Sequence, residues 1–141
     1  MLLGTPTAIT ATGALTDTGV DAFSTLVLSH GQHAQSTLIS SIVGRSTSTA
    51  YVSGTEARVD LGASFHNPTT LQLAGNSDAT AAALWQDPTG IRGYDGLCWQ
   101  ATAAACFIGE GRTESPLHPL DEVVQIMTTL DTARAQLGMR S

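Results

Sequence analysis

Alternating apolar and polar positions govern the first part of the chain, and a three-to-four residue spacing governs the last. Apolar or β-branched runs occupy Thr7–Leu15, Val20–Ser29, Ala34–Val43, Thr47–Ser53, Ala57–Leu61, Thr70–Ala74 and Ala79–Trp85, and read as successive strands. Between them stand turn residues: Asp17-Thr18-Gly19, His30-Gly31-Gln32, Ser53-Gly54-Thr55 and Asn76-Ser77-Asp78. Connections this short predict antiparallel neighbours, because a parallel pair needs a crossover of about a dozen residues or more.

Two helices are expected after the strands. Leu97, Ala101, Ala104, Ala105 and Ile108 mark one stripe at helical spacing. Trp99, Cys106 and Phe107 add apolar surface elsewhere, which predicts burial on more than one side, and Gly109 and Gly111 suit the stop. In the second helix Leu120, Val123, Val124, Met127, Leu130 and Leu137 make a stripe read as core-building. Pro119 suits its first turn, Asp121 and Glu122 its positive end, and Gly138 its end. The expected fold is α+β: an open, predominantly antiparallel β-sheet with two C-terminal helices packed on one face.

Widths sharpen that expectation. Seven strands at about 4.8 Å span over about 30 Å, whereas two helices of about 10 Å diameter cover one face only. The other face is not patterned for water. In the second run Val20, Ala22, Ser24, Leu26 and Leu28 alternate with Asp21, Phe23, Thr25 and Val27. In the third, Ala34, Ser36, Leu38, Ser40 and Ile42 alternate with Gln35, Thr37, Ile39, Ser41 and Val43. Neither set contains Lys or Glu. An open face of this kind predicts a partner, and a homodimer through the sheet is expected.

Composition narrows the function classes. A chain of 141 residues has the length of one domain, expected over 1–141. The net charge is −6, and six scattered arginines form no patch, which argues against nucleic acid as a partner. No apolar run approaches the roughly 18 residues of a membrane span, and no basic residue precedes the N-terminal apolar stretch as in a secretory signal. Cys98 and Cys106, eight residues apart on one helix, lie about 12 Å apart along its axis, beyond the roughly 7 Å reach of a disulfide. Free thiols, buried as small hydrophobes, and a reducing cytoplasm are therefore expected.

No chemical motif is complete. The chain has no lysine and no Gly-x-Gly-x-x-Gly. His30 and His33 flank a turn without a Cys or carboxylate pair, so they read as turn histidines and no metal site is expected. Gly109-Glu110-Gly111 stands at a helix end and carries an acid, which disfavours phosphate. No Gly-x-Ser-x-Gly is present. Glu114 and His118 have the spacing of an acid–base pair, but Pro116 and Pro119 interrupt any helix across them.

Three segments near the end form a recognisable series: Gly96-Leu-Cys-Trp-Gln-Ala101, Gly109-Glu-Gly-Arg-Thr-Glu-Ser-Pro-Leu-His-Pro-Leu120, and Leu130-Asp-Thr-Ala-Arg-Ala-Gln-Leu-Gly138. Earlier, Leu3-Gly4-Thr5-Pro6, Gly19-Val20-Asp21 and Ser53-Gly54-Thr55-Glu56-Ala57 continue it, the last with Ala57 where a glycine is usual. Together they resemble the C-terminal domain of the Gfo/Idh/MocA family of NAD(P)-dependent oxidoreductases, in the branch of dimeric dihydrodiol dehydrogenases. The Glu114-Ser115-Pro116-Leu117 stretch with Pro119-Leu120 is the most specific match.

The resemblance implies hydride transfer to or from a sugar, polyol or cyclic diol, with NAD or NADP bound by an N-terminal Rossmann domain that would precede Met1. That half would also supply the lysine of a Glu-Lys-Pro motif and a His or Tyr following an Asp, the proton-transfer groups. Neither catalytic nor cofactor-binding residues are therefore expected here, and this chain alone should be inactive. What it implies for this domain is one wall of a small-molecule substrate cleft, from Phe65 and His66 before Asn67-Pro68 and from Ile91, Arg92 and Tyr94 before Gly96. The other reading, that these are solvent-exposed loop residues, stays open at this point. So does a stand-alone binding or dimerisation module of the same fold, without a nucleotide domain.

Overall fold

A computed structural model describes residues 2–67, 70–77 and 82–139, with Ala82 described for its backbone alone. Among the described residues seven strands come first: β1 (Ala8–Leu15), β2 (Asp21–His30), β3 (Ala34–Ser41), β4 (Ala50–Ser53), β5 (Ala57–Leu61), β6 (Thr70–Gly75) and β7 (Ala82–Gln86). A single 3₁₀ turn (Gly93–Gly96), helix α1 (Leu97–Gly109) and helix α2 (Leu120–Gln136) follow. The start expected for the last strand, at Ala79, and Asp78 of the turn before it lie outside the described residues, as do Pro68 and Arg140.

Every strand pair is antiparallel, and the helices are C-terminal to the strands, giving the expected α+β class. The ladder differs from one continuous sheet. It is divided into a three-stranded sheet, β1-β2-β3, and a four-stranded sheet, β4-β5-β6-β7. The break falls where strand geometry is lost: Ser48 takes φ 49°, in the left-handed region, and its carbonyl accepts a bond from Phe65 N at 3.1 Å instead of from a strand. The chain forms two compact units, one of Met1–Ser46 with Arg112–Ser141, the other Thr47–Gly111.

In the first unit, α2 packs against β1. The Gln136 amide pairs with the backbone of that edge strand, Nε2 donating to Ile9 O at 2.9 Å and Oε1 accepting from Ala11 N at 2.7 Å. It satisfies an edge that would otherwise be open. The register places Ile9, Ala11 and Gly13 beside Leu28, Leu26 and Ser24, and Leu28, Ser24 and, from the helix, Ala133 are buried. Gly13 is required here, because a Cβ would stand 2.2 Å from Phe23 O. The opposite face, running through Thr10, Thr12, Phe23, Thr25, Val27, Thr37 and Ile39, carries no charged side chain, and Ile39 is 74% exposed.

Helix α2 carries one broad apolar stripe, of which only part is covered. Val123, Ile126, Ala133 and Leu137 are at least half-buried, whereas Leu120, Val124, Met127 and Leu130, expected in the core, are exposed. At 100° per residue the centres of the two groups lie about a quarter-turn apart, with Leu130 between Val123 and Leu137, so the apolar surface is wider than the part the sheet covers. Its start is built by the Glu-Ser-Pro-Leu-His-Pro stretch. Glu114 Oε2 accepts from Leu120 N at 2.8 Å, Ser115 Oγ from Leu117 N at 3.2 Å, and His118 Nδ1 bonds Glu122 Oε2 at 3.0 Å. Glu114 thus caps the helix start, while His118 pairs with the Glu122 side chain. His30 ends β2 and is not a free turn residue: Nδ1 bonds Gly4 O at 3.1 Å and Nε2 bonds Ser36 Oγ at 2.9 Å.

In the second unit the four-stranded sheet has one wholly apolar face and one mixed face. One face carries Val52, Val59, Leu73 and Ala83 in one row and Ala50, Leu61, Leu71 and Trp85 in the next. The other carries Tyr51, Asp60, Gln72 and Leu84 in one row and Ser53, Arg58 and Ala74 in the next, with an Arg58 Nε–Asp60 Oδ2 ion pair of 2.9 Å. Helix α1 is largely exposed, contrary to expectation: Ile108 is 74% and Trp99 51% exposed. Its apolar residues spread round the circumference, so no single surface of this unit covers them. Cys98 and Cys106 are free, as expected, but exposed and not buried.

Candidate functional site

Two loops of the second unit converge. The first follows β5, where Leu61 ends the strand and Gly62–Asn67 turn back towards β6. Ser64 sits in the left-handed region, φ 64°, and Asn67 N closes the turn on Ser64 O at 2.9 Å. This turn sets Phe65 and His66 edge to face, ring centroids 5.9 Å apart at 85°. The second loop joins β7 to α1. Asp87 Oδ1 accepts from Thr89 N at 2.9 Å and Thr89 Oγ1 at 2.7 Å, and the same hydroxyl accepts from Ile91 N at 3.3 Å. That Asx turn fixes the entry of Ile91 and Arg92. Gly93, at φ 58°, then opens the 3₁₀ turn directly after Arg92, with Tyr94 as its second residue.

Between these loops lie two neighbouring cavities. One, of about 380 Å³, is lined by Ser64, His66, Asn67, Thr70, Arg92 and Tyr94 with the glycines and alanine of both loops. The other, of about 300 Å³, is lined by Ile91, Leu97, Trp99 and Tyr94 on its apolar side and by His66, Asn67, Asp87 and Gln100 on its polar side. His66, Asn67, Gly93 and Tyr94 border both.

The five sequence-predicted residues therefore fall in one neighbourhood, in distinct positions. His66 and Tyr94 border both cavities, Arg92 the first alone and Ile91 the second alone. Phe65 borders neither; it braces His66 through the edge-to-face contact. Residue patterns did not point to Asn67, Asp87, Trp99 and Gln100. Asp87-Pro88-Thr89-Gly90 does carry a turn signature whose leading acid had to accept local hydrogen bonds. Trp99 could be found only from its place within the first turn of α1.

The electrostatics are asymmetric. Backbone and side-chain hydrogen bonds from Thr89, with a smaller contribution from the Arg92 charge, hold the Asp87 carboxyl below its ordinary value of 3.8 against a slight opposing effect of burial. Asp87 is thus an anion at neutral pH on the rim of the second cavity, and Arg92 a cation on the first. Among the described residues no cluster of His, Cys, Asp and Glu suits a metal ion, and no helix is long and apolar enough to cross a membrane.

The sheet-and-loop arrangement thus sets polar and aromatic side chains around two adjoining cavities. No family model matches the chain. It is similar to two dehydrogenases, the trans-1,2-dihydrobenzene-1,2-diol dehydrogenases of Xenopus tropicalis and Xenopus laevis, each 25% identical over 134 residues. The matched stretch covers 95% of this chain and 41% of each relative, so the chain spans about two fifths of the length of the curated relatives it matches.

Proposed function

We propose that this chain is the C-terminal, substrate-side domain of a Gfo/Idh/MocA-type NAD(P)-dependent oxidoreductase that transfers hydride to or from a sugar, polyol or cyclic diol. The observation that carries the reading is the similarity to two dehydrogenases along 95% of the chain. The convergence of His66, Ile91, Arg92 and Tyr94 around adjoining cavities supports it independently. In this reading a preceding Rossmann domain binds NAD or NADP and supplies the proton-transfer lysine, and the protein works in the cytoplasm. This domain forms the cleft wall. It orients the substrate hydroxyls with His66, Asn67 and Tyr94, packs the ring against Ile91 and Trp99, and leaves the redox chemistry to the nucleotide half.

The uncharged outer face of the β1-β2-β3 sheet, with Phe23, Val27 and Ile39, is the homodimer surface in this account. Sedimentation tests that part: a dimer at micromolar concentration is expected, and Ile39→Lys should shift it to monomer. Monomer alone from the unaltered protein would remove the interface.

The cleft is tested in the full-length enzyme acting on trans-1,2-dihydrobenzene-1,2-diol. Alanine at His66 or Tyr94 should raise KM roughly three- to thirtyfold, the loss of about one hydrogen bond or ring contact. Phe65→Ala should act more weakly, through His66. An unchanged KM in all three variants rejects the cleft. The isolated chain should show no dehydrogenase activity, and measurable turnover from it would contradict the division of labour.

A further inference from the structure

The two cavities differ in charge, and that difference points to a substrate class. The first has one cation, Arg92, no carboxylate, and hydrogen-bonding groups on Ser64, His66, Asn67 and Tyr94. The second has one anion, Asp87, no Lys or Arg, and an apolar wall of Ile91, Leu97 and Trp99. From this we infer that the pair takes a hydroxylated six-membered ring bearing a single carboxylate. The carboxylate lies against Arg92, the ring beside Trp99 and Leu97, and a ring hydroxyl donates to Asp87. The inference rests on the proposal that these cavities are the substrate pocket, and names what would fill them.

Size and charge decide between alternatives. A cavity of about 150 Å³ holds a benzene ring, so the roughly 300 Å³ of the second cavity admits a six-membered ring with substituents. The planar guanidinium of Arg92 matches a carboxylate in a paired geometry and offsets one negative charge. A phosphate monoester carries about −1.5 to −2 at neutral pH, leaving an uncompensated negative charge near Asp87 in a chain of net charge −6. A neutral diol would leave the guanidinium without an ionic partner from the ligand. Opposite charges at the two ends also fix direction, because reversing the ligand would set its carboxylate against Asp87.

The test titrates the 141-residue chain with benzoate, 3-hydroxybenzoate and benzyl alcohol, following backbone amide shifts by NMR. Benzoate should bind about tenfold more tightly than benzyl alcohol, moving the amides of His66, Gly93, Tyr94 and Trp99. Arg92→Gln should erase that preference and Arg92→Lys should restore part of it. 3-Hydroxybenzoate should bind more tightly still, and Asp87→Asn should remove that further gain. Equal binding of benzoate and benzyl alcohol at these residues overturns the carboxylate class while leaving the pocket in place. Absence of binding by all three overturns both, and an effect of Arg92→Gln on benzyl alcohol as large as on benzoate overturns the assignment of Arg92 to the acid.

Discussion

The two compact units use the same antiparallel ladder for different ends. In the first, a helix closes on the sheet: Leu28, Ser24 and Ala133 are buried and Gln136 completes the β1 edge. In the second, the sheet sets an apolar face against a mixed one, while the loops at its end hold the ionisable and aromatic groups around two cavities. The contrast separates scaffold from site. Strands and a capped helix set positions, and loops carry the groups of the proposed pocket.

Substitutions should divide along that line. The largest effect is expected at Leu28→Ala, a loss of about 2–5 kcal/mol from a deleted core side chain, read as a lower urea midpoint at unchanged slope. Gly13→Ala comes next, at about 1–3 kcal/mol, since its new methyl must push against the Phe23 carbonyl. Removing the helix cap with Glu114→Ala should cost about 1 kcal/mol. Arg92→Gln and Tyr94→Ala, on the exposed loop of the second unit, should change stability by less than about 0.5 kcal/mol while altering ligand binding. A site variant that melts the protein as Leu28→Ala does would erase the distinction between the regions.

The smallest expected effect is a pH dependence. Asp87 is held below 3.8 by Thr89, so its contribution to stability is complete above the unfolded value and is lost as pH falls through the lower folded one. Carbon-detected titration should show Thr89→Ala moving Asp87 back towards 3.8. No movement would separate the Asx turn from the charge it is taken to hold.

Strand positions were legible because both their signals are local: period-two alternation, and turn residues such as Gly19, Gly31 and Gly54 between runs. Observed and expected ends differ by at most three residues wherever both are described. Three features depended on distant parts of the chain. The break between β3 and β4 turns on the left-handed Ser48 and its bond to Phe65. Which part of the broad apolar stripe on α2 meets β1 is decided by the sheet, not by spacing within the helix. Exposure of Cys98, Trp99 and Cys106 reflects what lies around α1, which no periodicity within α1 encodes. The site was half legible: His66, Ile91, Arg92 and Tyr94 came from family resemblance, whereas Asp87 and Trp99 joined them only through the fold.

The central claim is that this domain works as the substrate-side part of a larger dehydrogenase, and the intact mass of the protein in its native source tests that most directly. The account predicts one polypeptide more than twice the 14.6 kDa of this chain, as the 41% coverage of its relatives implies, carrying a nucleotide-binding half ahead of Leu3. A native species of 14.6 kDa with no covalently continuous partner would contradict it.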